Sequence, residues 1–462
     1  MTIEAAPHPS PELGAFGRFR TLFARFSNGS ERSLAGRAAL AAFSIRVASA
    51  AIAYLSQVML ARWMGSAEYG VFVFAWVLVL ILGGLSTLGF GVSLIRFIPE
   101  YRVAGDFAHL RGILRASRLL TVAVSTTVAG LGILSLYLFA DRLDGHYVLP
   151  LALAFVCLPL YTLTDVHDGV GRAQTWINLA LVPPYVLRPL GILVVMAIAR
   201  FAGLPMDATT AAGSAIIATW AAGIGQLVFM ERRLDQVIPS AKPAYRLGDW
   251  LYTGWPIFLI YGFELLLQNT DVLVISHFTN PSEAGIYFAA LKTISLIAFV
   301  HYAVGTAVGS RLSALNTTGD KTALAAMIRD AAAWTFWPSL FGAICLLLLG
   351  KYFLLLFGEE FVTGYPVMFV LVIGLLVRSA VGPAEFVFRM LGAERWCMLI
   401  LGASAIINIA ANLILVPRLG IMGAAAATAL AAVFSALSFA VVAKTRLGLD
   451  IGIWAAVFGR KS

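Results

Sequence analysis

The chain has 462 residues, of which 60% are hydrophobic and only 12% are charged, about half of the charged share that is usual in soluble domains. This composition excludes a soluble globular protein, because a soluble fold of this length could not cover so much apolar surface. The net charge of +9 would suit a nucleic-acid-binding protein or a membrane protein, so the positions of the charges decide its meaning.

Residues 1–37 precede the first long apolar run and lack the compact apolar core and the cleavage site of a signal peptide. Phe16, Phe19, Phe23 and Phe26 recur at helical spacing, with arginines between them. This pattern favours a short amphipathic helix on the inner leaflet, with a disordered basic arm as the alternative. We therefore predict a cytoplasmic N-terminal segment over these residues.

Twelve apolar runs follow, each close to the roughly 20 residues that a membrane-spanning helix needs. Their predicted limits are 38–60, 71–95, 117–140, 148–168, 177–199, 208–230, 253–277, 286–309, 331–350, 367–388, 397–416 and 422–443. The sequence thus predicts an all-α, polytopic membrane protein with about 12 transmembrane helices.

The Lys and Arg residues outside these runs are distributed unequally. If the N-terminus is cytoplasmic, the cytoplasmic segments hold 24 of them and the opposite side holds 5. This asymmetry predicts that both termini are cytoplasmic. The positive charge is therefore a topology signal, and no nucleic-acid partner is needed to explain it.

A weak internal repeat relates Ala61–Ala75 to Ser276–Ala290 at an offset of 215 residues. The matched positions are Glu68 with Glu283, Gly70 with Gly285, Phe72 with Tyr287 and, at an offset of 214, Gly105-Asp106 with Gly319-Asp320 and Arg115 with Arg329. Six runs separate the copies, which predicts two six-helix bundles related by a pseudo-twofold axis along the membrane normal. The predicted bundles are 38–230 and 253–444, with a cytoplasmic linker at 231–252 and a cytoplasmic tail at 445–462.

No catalytic motif stands out. The sequence lacks a nucleotide-binding glycine loop, a His–Glu metal motif and a serine-nucleophile elbow, and its three cysteines lack metal-ligand spacing. We predict no catalytic residue, no cofactor and no metal, and we expect any transport to draw on an ion gradient or on the substrate's own gradient.

Charged residues inside the apolar runs are the candidate functional groups, because each costs roughly 2.5–3.5 kcal/mol at the centre of a membrane helix unless it is paired or hydrated. The predicted substrate-binding cations are Arg46, Arg188, Lys292 and Arg378. The candidates for ion coupling are Glu264, Asp271, Glu385 and Asp165, and the polar cavity candidates are Gln268, Asn408 and Asn412.

Spacing groups some of these candidates. Glu264, Gln268 and Asp271 follow one another at four and three residues and share a helix face, and Arg378 and Glu385 are seven residues apart. The concentration of charge on particular helices of both halves predicts a shared hydrated cavity between the bundles. A structural salt bridge between bundles is the alternative for the charges at the centres of the runs.

Three segments resemble those of a known family. They are Leu60–Gly70 after the first run, Leu356–Phe361 before the tenth, and Asn408–Thr428 across the last two. Their order and spacing resemble the bacterial oligosaccharide flippases, the Wzx-type polysaccharide biosynthesis proteins of the multidrug/oligosaccharidyl-lipid/polysaccharide exporter superfamily. The resemblance extends over residues 37–444.

The resemblance implies a V-shaped pair of bundles that alternates access. It implies a substrate of the undecaprenyl-diphosphate-linked oligosaccharide class, moved from the inner to the outer leaflet of the bacterial cytoplasmic membrane for O-antigen, exopolysaccharide or capsule. The expected partners are this substrate, a coupling H⁺ or Na⁺, membrane lipid, and a polysaccharide polymerase with its chain-length machinery. The family has no universal substrate-binding motif, so the candidate residues rest on the membrane charges alone.

The alternatives are a cation-coupled multidrug exporter of the same superfamily and a membrane polysaccharide polymerase or ligase. The four intramembrane cations disfavour the exporter, whose pocket should be apolar and acidic. The absence of a large external loop and the two-half repeat disfavour the enzyme. A lipid II flippase would be expected to have fourteen spans, and a scaffold without transport would leave the central charges unexplained.

Overall fold

The computed structural model describes residues 31–142 and 144–454, with side chains from residue 45 onward apart from Arg142 and Ser310. The predicted amphipathic helix over Phe16–Phe26 lies outside the described residues. In the part of the chain that is described, every regular element is helical: α1 Glu31–Ser86, α2 Phe90–Val103, α3 Phe107–Leu138, α4 Gly145–Ala173, α5 Ile177–Val182, α6 Arg188–Phe201, α7 Ala208–Val237, α8 Leu247–Phe278, α9 Pro281–Ser295, α10 Ala298–Thr318, α11 Lys321–Leu355, α12 Tyr365–Ala380, α13 Ala384–Met390, α14 Glu394–Leu419 and α15 Ile421–Val442.

Within residues 31–142 and 144–454, ten helical segments are long and apolar enough to cross a membrane, and the bent pair of α9 and α10 makes eleven. The first of the ten, Ile45–Val103, has 59 residues and is interrupted at Gly65, whose φ of 75° and ψ of 172° are not helical. A single crossing needs only about 20 residues, so this segment is long enough for two.

The chain folds back on itself at Gly65. The Tyr69 hydroxyl donates to Gln57 Oε1 at 2.9 Å, although twelve residues of straight helix would separate their backbones by about 18 Å. The two limbs of α1 therefore meet at a sharp bend, and the 59-residue segment is long enough for two crossings. This accounts for the twelve predicted spans and confirms the all-α, polytopic fold.

The internal repeat is visible as matching helix starts. Gly105 and Gly319 both have a left-handed φ, of 67° and 72°. Asp106 then accepts a hydrogen bond from the backbone N–H of His109, and Asp320 accepts one from that of Ala323. These hydrogen bonds lower the pKa of both carboxyls from their ordinary values. The two halves thus begin equivalent helices with the same N-cap geometry.

The two longer copies of the repeat, Ala61–Ala75 and Ser276–Ala290, pack directly against each other. A Cβ atom on Gly70 would lie 1.7 Å from the carbonyl oxygen of Pro281, and one on Gly285 would lie 2.6 Å from that of Ser66. The second limb of α1 and helix α9 therefore cross with their backbones in contact, which only glycine allows. We call α1–α7 the N-terminal bundle and α8–α15 the C-terminal bundle.

The bundles also touch at the opposite end. Trp250, at the start of α8, donates from Nε1 to the Tyr101 hydroxyl of α2 at 2.8 Å. The backbone N–H of Ala244, in the connection between α7 and α8, donates to Ala108 O at 3.0 Å.

Candidate functional site

A cavity of about 370 Å³ is lined by α1, by the segment that joins α5 to α6, by the start of α6, by α9 and by the start of α10. Three of the four predicted cations line it, namely Arg46, Arg188 and Lys292. We call it the cation cavity. Aromatic side chains make up much of the remaining wall, including Tyr54, Phe72, Trp76, Tyr185, Phe288 and Phe299.

Two prolines shape the part of the wall that carries Tyr185 and Arg188. Pro183–Leu187 form a π-helical turn, closed by the Arg188 N–H donating to the Pro183 carbonyl. Pro183 has no N–H to donate back to the carbonyl of Leu179. The buried amide of Gln226, on α7, donates to that carbonyl instead, at 2.9 Å. The neighbouring helix thus stabilises a break that places both side chains at the cavity.

Aromatic rings hold the three cations. The Arg46 guanidinium carbon lies 4.0 Å from the ring centroid of Tyr185 and 5.7 Å from that of Tyr302. The Arg188 guanidinium carbon lies 4.7 Å from the ring centroid of Tyr161 and 5.7 Å from that of Trp76. Lys292 Nζ lies 4.7 Å from the ring centroid of Phe288. Among the described residues, no carboxylate lies within salt-bridge distance of any of the three.

The cation cavity therefore carries positive charge that its own walls do not neutralise. Aromatic faces attract cations and restrain their side chains, but a ring has no net charge. The planar guanidinium donors of both arginines match phosphate and carboxylate oxygens. Arg46 also has a buried Nε with no partner in the described structure. The arrangement suits an anionic ligand.

A second cavity, of about 90 Å³, lies in the C-terminal bundle. We call it the ion-pair cavity. It brings together five predicted residues, Glu264, Gln268, Arg378, Glu385 and Asn408, and it is also lined by Thr428. Arg378 therefore lies apart from the other three predicted cations.

The charges of the ion-pair cavity neutralise one another. Arg378 Nη2 donates to both carboxylate oxygens of Glu385, at 2.7 and 2.9 Å, across the break between α12 and α13. Arg389 donates to Glu264. Sequence reasoning assigned Arg389 to a cytoplasmic loop and missed this pairing. Its spacing of four residues from Glu385 was the available signal that it shares that helix face.

Asp271 lies beside the ion-pair cavity and is 1% exposed. Its Oδ2 accepts hydrogen bonds from the hydroxyls of Tyr287, at 2.5 Å, and Thr428, at 2.6 Å. Within the described chain Asn412 Oδ1 has no hydrogen-bond partner. Asn412 Nδ2 donates to the Asn408 carbonyl at 2.9 Å.

Asp165 lies apart from the other acidic candidates. Its Oδ2 accepts a hydrogen bond of 3.3 Å from Tyr261 on α8, so the contact joins the two bundles. Its neighbour Asp168 pairs with Arg172 on the same helix, with Nε to Oδ1 at 2.9 Å. The candidates thus line two separate cavities, make one contact between the bundles or, in Asp271 and Asn412, lie beside the ion-pair cavity.

Sequence reasoning also missed a polar cluster that closes the bundles at the Gly65 turn. The Ser66 N–H and hydroxyl donate to the two carboxylate oxygens of Glu360, at 2.6 and 2.7 Å, and Ser66 Oγ lies 2.5 Å from Ser282 Oγ. Arg62 Nε donates to Leu356 O at 2.6 Å. We call Ser66, Ser282 and Glu360 the serine–glutamate cluster. It joins two of the segments that resemble the flippases.

Comparison with known proteins gives a family and a fold. The family model for polysaccharide biosynthesis proteins matches residues 35–309. An uncharacterized membrane protein of Methanocaldococcus jannaschii, MJ1068, is 22% identical and aligns over 82% of this chain and 78% of its own.

Two solved structures share the fold. An inward-facing multidrug resistance transporter of the MATE family and MOP superfamily has a TM-score of 0.73 at 14% identity, covering 86% of this chain and 94% of its own. The lipid II flippase MurJ, in an inward closed conformation, has a TM-score of 0.68 at 14% identity, covering 87% of both chains. At this identity the likeness shows the two-bundle fold alone.

Proposed function

This chain belongs to the polysaccharide biosynthesis protein family, and from that premise we propose that it is a flippase for undecaprenyl-diphosphate-linked oligosaccharide. The substrate moves from the inner to the outer leaflet of a bacterial cytoplasmic membrane, in which both protein termini are cytoplasmic. The product then serves surface polysaccharide assembly by a polymerase and its chain-length machinery.

The uncompensated charge of the cation cavity carries this proposal. A diphosphate cannot cross hydrocarbon unaided, because an isolated charge is strongly disfavoured there. Arg46, Arg188 and Lys292 are partly buried, and within the described residues none of them forms a salt bridge that a ligand would have to break. An entering diphosphate therefore gains charge-assisted hydrogen bonds without breaking an ion pair.

Alternating access requires the serine–glutamate cluster to open. The Lys and Arg distribution assigns this end of the molecule to the outer side of the membrane. Its hydrogen bonds join Ser66 of one bundle to Ser282 and Glu360 of the other. In our proposal these contacts separate when the headgroup is released outward and form again when the cavity returns to the inner side.

Asp271 is our candidate for coupling to H⁺ or Na⁺. It is a buried carboxylate, and no basic side chain forms a salt bridge with it in the described residues. Such a group is stabilised by binding a proton or a small cation. Thr428 links it to the ion-pair cavity, because Thr428 both donates to Asp271 and lines that cavity.

A cation-coupled multidrug exporter is the second candidate. The fold likeness to a MATE transporter supports it. The cation cavity disfavours it, because a cationic drug would meet unneutralised arginines.

The test uses a host strain that lacks the gene, in which the leaflet and length of the lipid-linked precursor are both measured. We expect precursor of normal length to accumulate on the inner leaflet, and the wild-type gene to restore it to the outer leaflet. Arg188→Gln should fail to restore it. Arg200→Gln, on the same helix but outside the cavity, is the matched control and should succeed.

Two results would contradict the proposal. Precursor that reaches the outer leaflet but stays unpolymerised would indicate a polymerase or ligase. An unchanged glycan together with increased drug sensitivity would indicate the multidrug exporter.

A further inference from the structure

A groove of about 530 Å³ runs along the surface of the N-terminal bundle, behind the cation cavity. One wall comes from α5 and the π-helical turn Pro183–Leu187, and the other from the last third of α7. Pro183 and Leu187 of this turn line the groove, at a point where two prolines interrupt the regular helix.

The floor of the groove is apolar and accessible. Leu179, Val182, Pro183 and Leu187 line one side, and Phe229 lines the other. Phe229 is 62% exposed and Leu187 is 51% exposed. In a chain that crosses the membrane, such side chains face lipid, so the groove is shaped for a hydrocarbon chain rather than for a polar ligand.

One end of the groove is cationic. Arg232 and Arg233 line it together with the polar side chains of Asn178 and Gln236. The Arg233 guanidinium carbon lies 4.6 Å from the ring centroid of Trp176, which restrains its position. In residues 31–142 and 144–454, neither arginine forms an ion pair with a carboxylate.

The combination of an apolar floor and a paired cationic end is complementary to an anionic lipid. The count of Lys and Arg places this end of α7 at the cytoplasmic surface, where lipid phosphates lie. Basic pockets between membrane helices on this side are suited to anionic headgroups. Arginine donors match phosphate oxygens in particular. A zwitterionic lipid would bring a positive group toward the same two arginines.

We propose that this groove is a binding site for an anionic glycerophospholipid of the cytoplasmic leaflet. The phosphate binds Arg232 and Arg233, and an acyl chain lies along Leu187 and Phe229. The proposal is independent of the flippase function, because it concerns the outer surface of the bundle and not the transported substrate.

The site has a structural link to the cation cavity. Pro183 and Leu187 face the groove, whereas Pro184, Tyr185 and the adjoining Arg188 face the cavity. One helical turn is thus the wall between them. A bound acyl chain therefore packs against the same turn that positions a substrate-binding candidate.

Native mass spectrometry of the purified full chain tests the proposal. The protein in detergent is titrated with phosphatidylglycerol and, separately, with phosphatidylcholine that has the same acyl chains. We expect phosphatidylglycerol to bind with 1:1 stoichiometry and at least about tenfold more tightly. Arg232→Ala/Arg233→Ala should remove this preference. Leu187→Trp should weaken the binding of both lipids, because the larger side chain fills the groove.

Arg311→Ala/Lys321→Ala is the matched control, since it removes two exposed cations of the other bundle on the same predicted side. It should leave phosphatidylglycerol binding unchanged. An equal loss of phosphatidylglycerol binding in this control would overturn the proposal and indicate diffuse electrostatic attraction to the protein surface. Equally tight binding of phosphatidylcholine would also overturn it, because the groove would then bind lipid without preference for an anionic headgroup. Displacement of phosphatidylglycerol by stoichiometric undecaprenyl phosphate, or a dimer that excludes the lipid, would assign the groove to another occupant.

Discussion

The arginines of the cation cavity and those of the ion-pair cavity differ in their partners. Arg46 and Arg188 lie against aromatic rings without a carboxylate partner in the described residues, whereas Arg378 and Arg389 each donate to a glutamate. The first arrangement leaves charge available for a ligand, and the second uses it within the protein. A buried charge is therefore informative about function only when its partners are known.

The largest expected effect comes from joining the bundles without altering either cavity. Ser66→Cys/Ser282→Cys places two thiols where the hydroxyl oxygens lie 2.5 Å apart, close enough for a disulfide. Oxidation should abolish transport, because the serine–glutamate cluster can no longer open, and reduction should restore it. The assay is headgroup transfer between leaflets in reconstituted vesicles.

Each single cysteine variant controls for oxidation of the native Cys157, Cys345 and Cys397. An oxidised double variant that still transports at the wild-type rate would show that the serine–glutamate cluster does not need to open.

The next prediction distinguishes the role of the cation cavity from that of the ion-pair cavity. Arg188→Gln should reduce transport by about tenfold to 100-fold, the value of a lost hydrogen bond to a charged group. Thermal stability should change little, because Arg188 forms no salt bridge in the part of the chain that is described. The measurement compares initial transport rates with the melting temperature of the same preparations, and Arg200→Gln is the control. A large fall in melting temperature would indicate that Arg188 has a structural role.

Arg378→Gln should show the reverse pattern, with a loss of thermal stability as its main effect. It leaves the carboxylate of Glu385, whose side chain is only 12% exposed, without its cation. The expected cost is about 1–2 kcal/mol, because the Arg378 side chain is 46% exposed and solvent screens the pair. Melting temperature in detergent is the measurement, and Arg378→Gln/Glu385→Gln should recover most of the loss. If the double variant remains as unstable as the single one, the pair does not explain the stability.

The smallest effect tests the aromatic support of the cation cavity. Tyr185→Leu removes the ring that lies 4.0 Å from the Arg46 guanidinium carbon and should weaken substrate binding by about twofold to tenfold. Tyr302→Leu, with its ring at 5.7 Å, is the matched control and should have a smaller effect. The KM for transport distinguishes the two. Equal changes would mean that the rings act through cavity shape and not through the cation.

The number of crossings, their helical class and the repeat could be predicted because they depend on local properties. Apolar length alone identifies a crossing, and the Gly105-Asp106 and Gly319-Asp320 pairs specify the same helix start wherever they occur. The Gly65 turn shows the limit. Two long runs were predicted on either side of it, and the contact of Tyr69 with Gln57 revealed how sharply the chain reverses.

The division of the candidate residues into two cavities could not be predicted in the same way. Depth in the membrane made Arg188 and Arg378 look equivalent, because both lie inside apolar runs. Their difference comes from Tyr161 in one case and Glu385 in the other.

The sequence by itself determined that the chain is an all-helical, multi-pass membrane protein with two similar halves, since hydrocarbon selects apolar helices residue by residue. Only the tertiary structure decided which of those charges are neutralised. Glu264 and Arg389 are 125 residues apart, and Ser66 and Glu360 are 294 apart. Such pairs depend on how helices pack across the whole bundle, and helical periodicity specifies faces but not the partners that meet them.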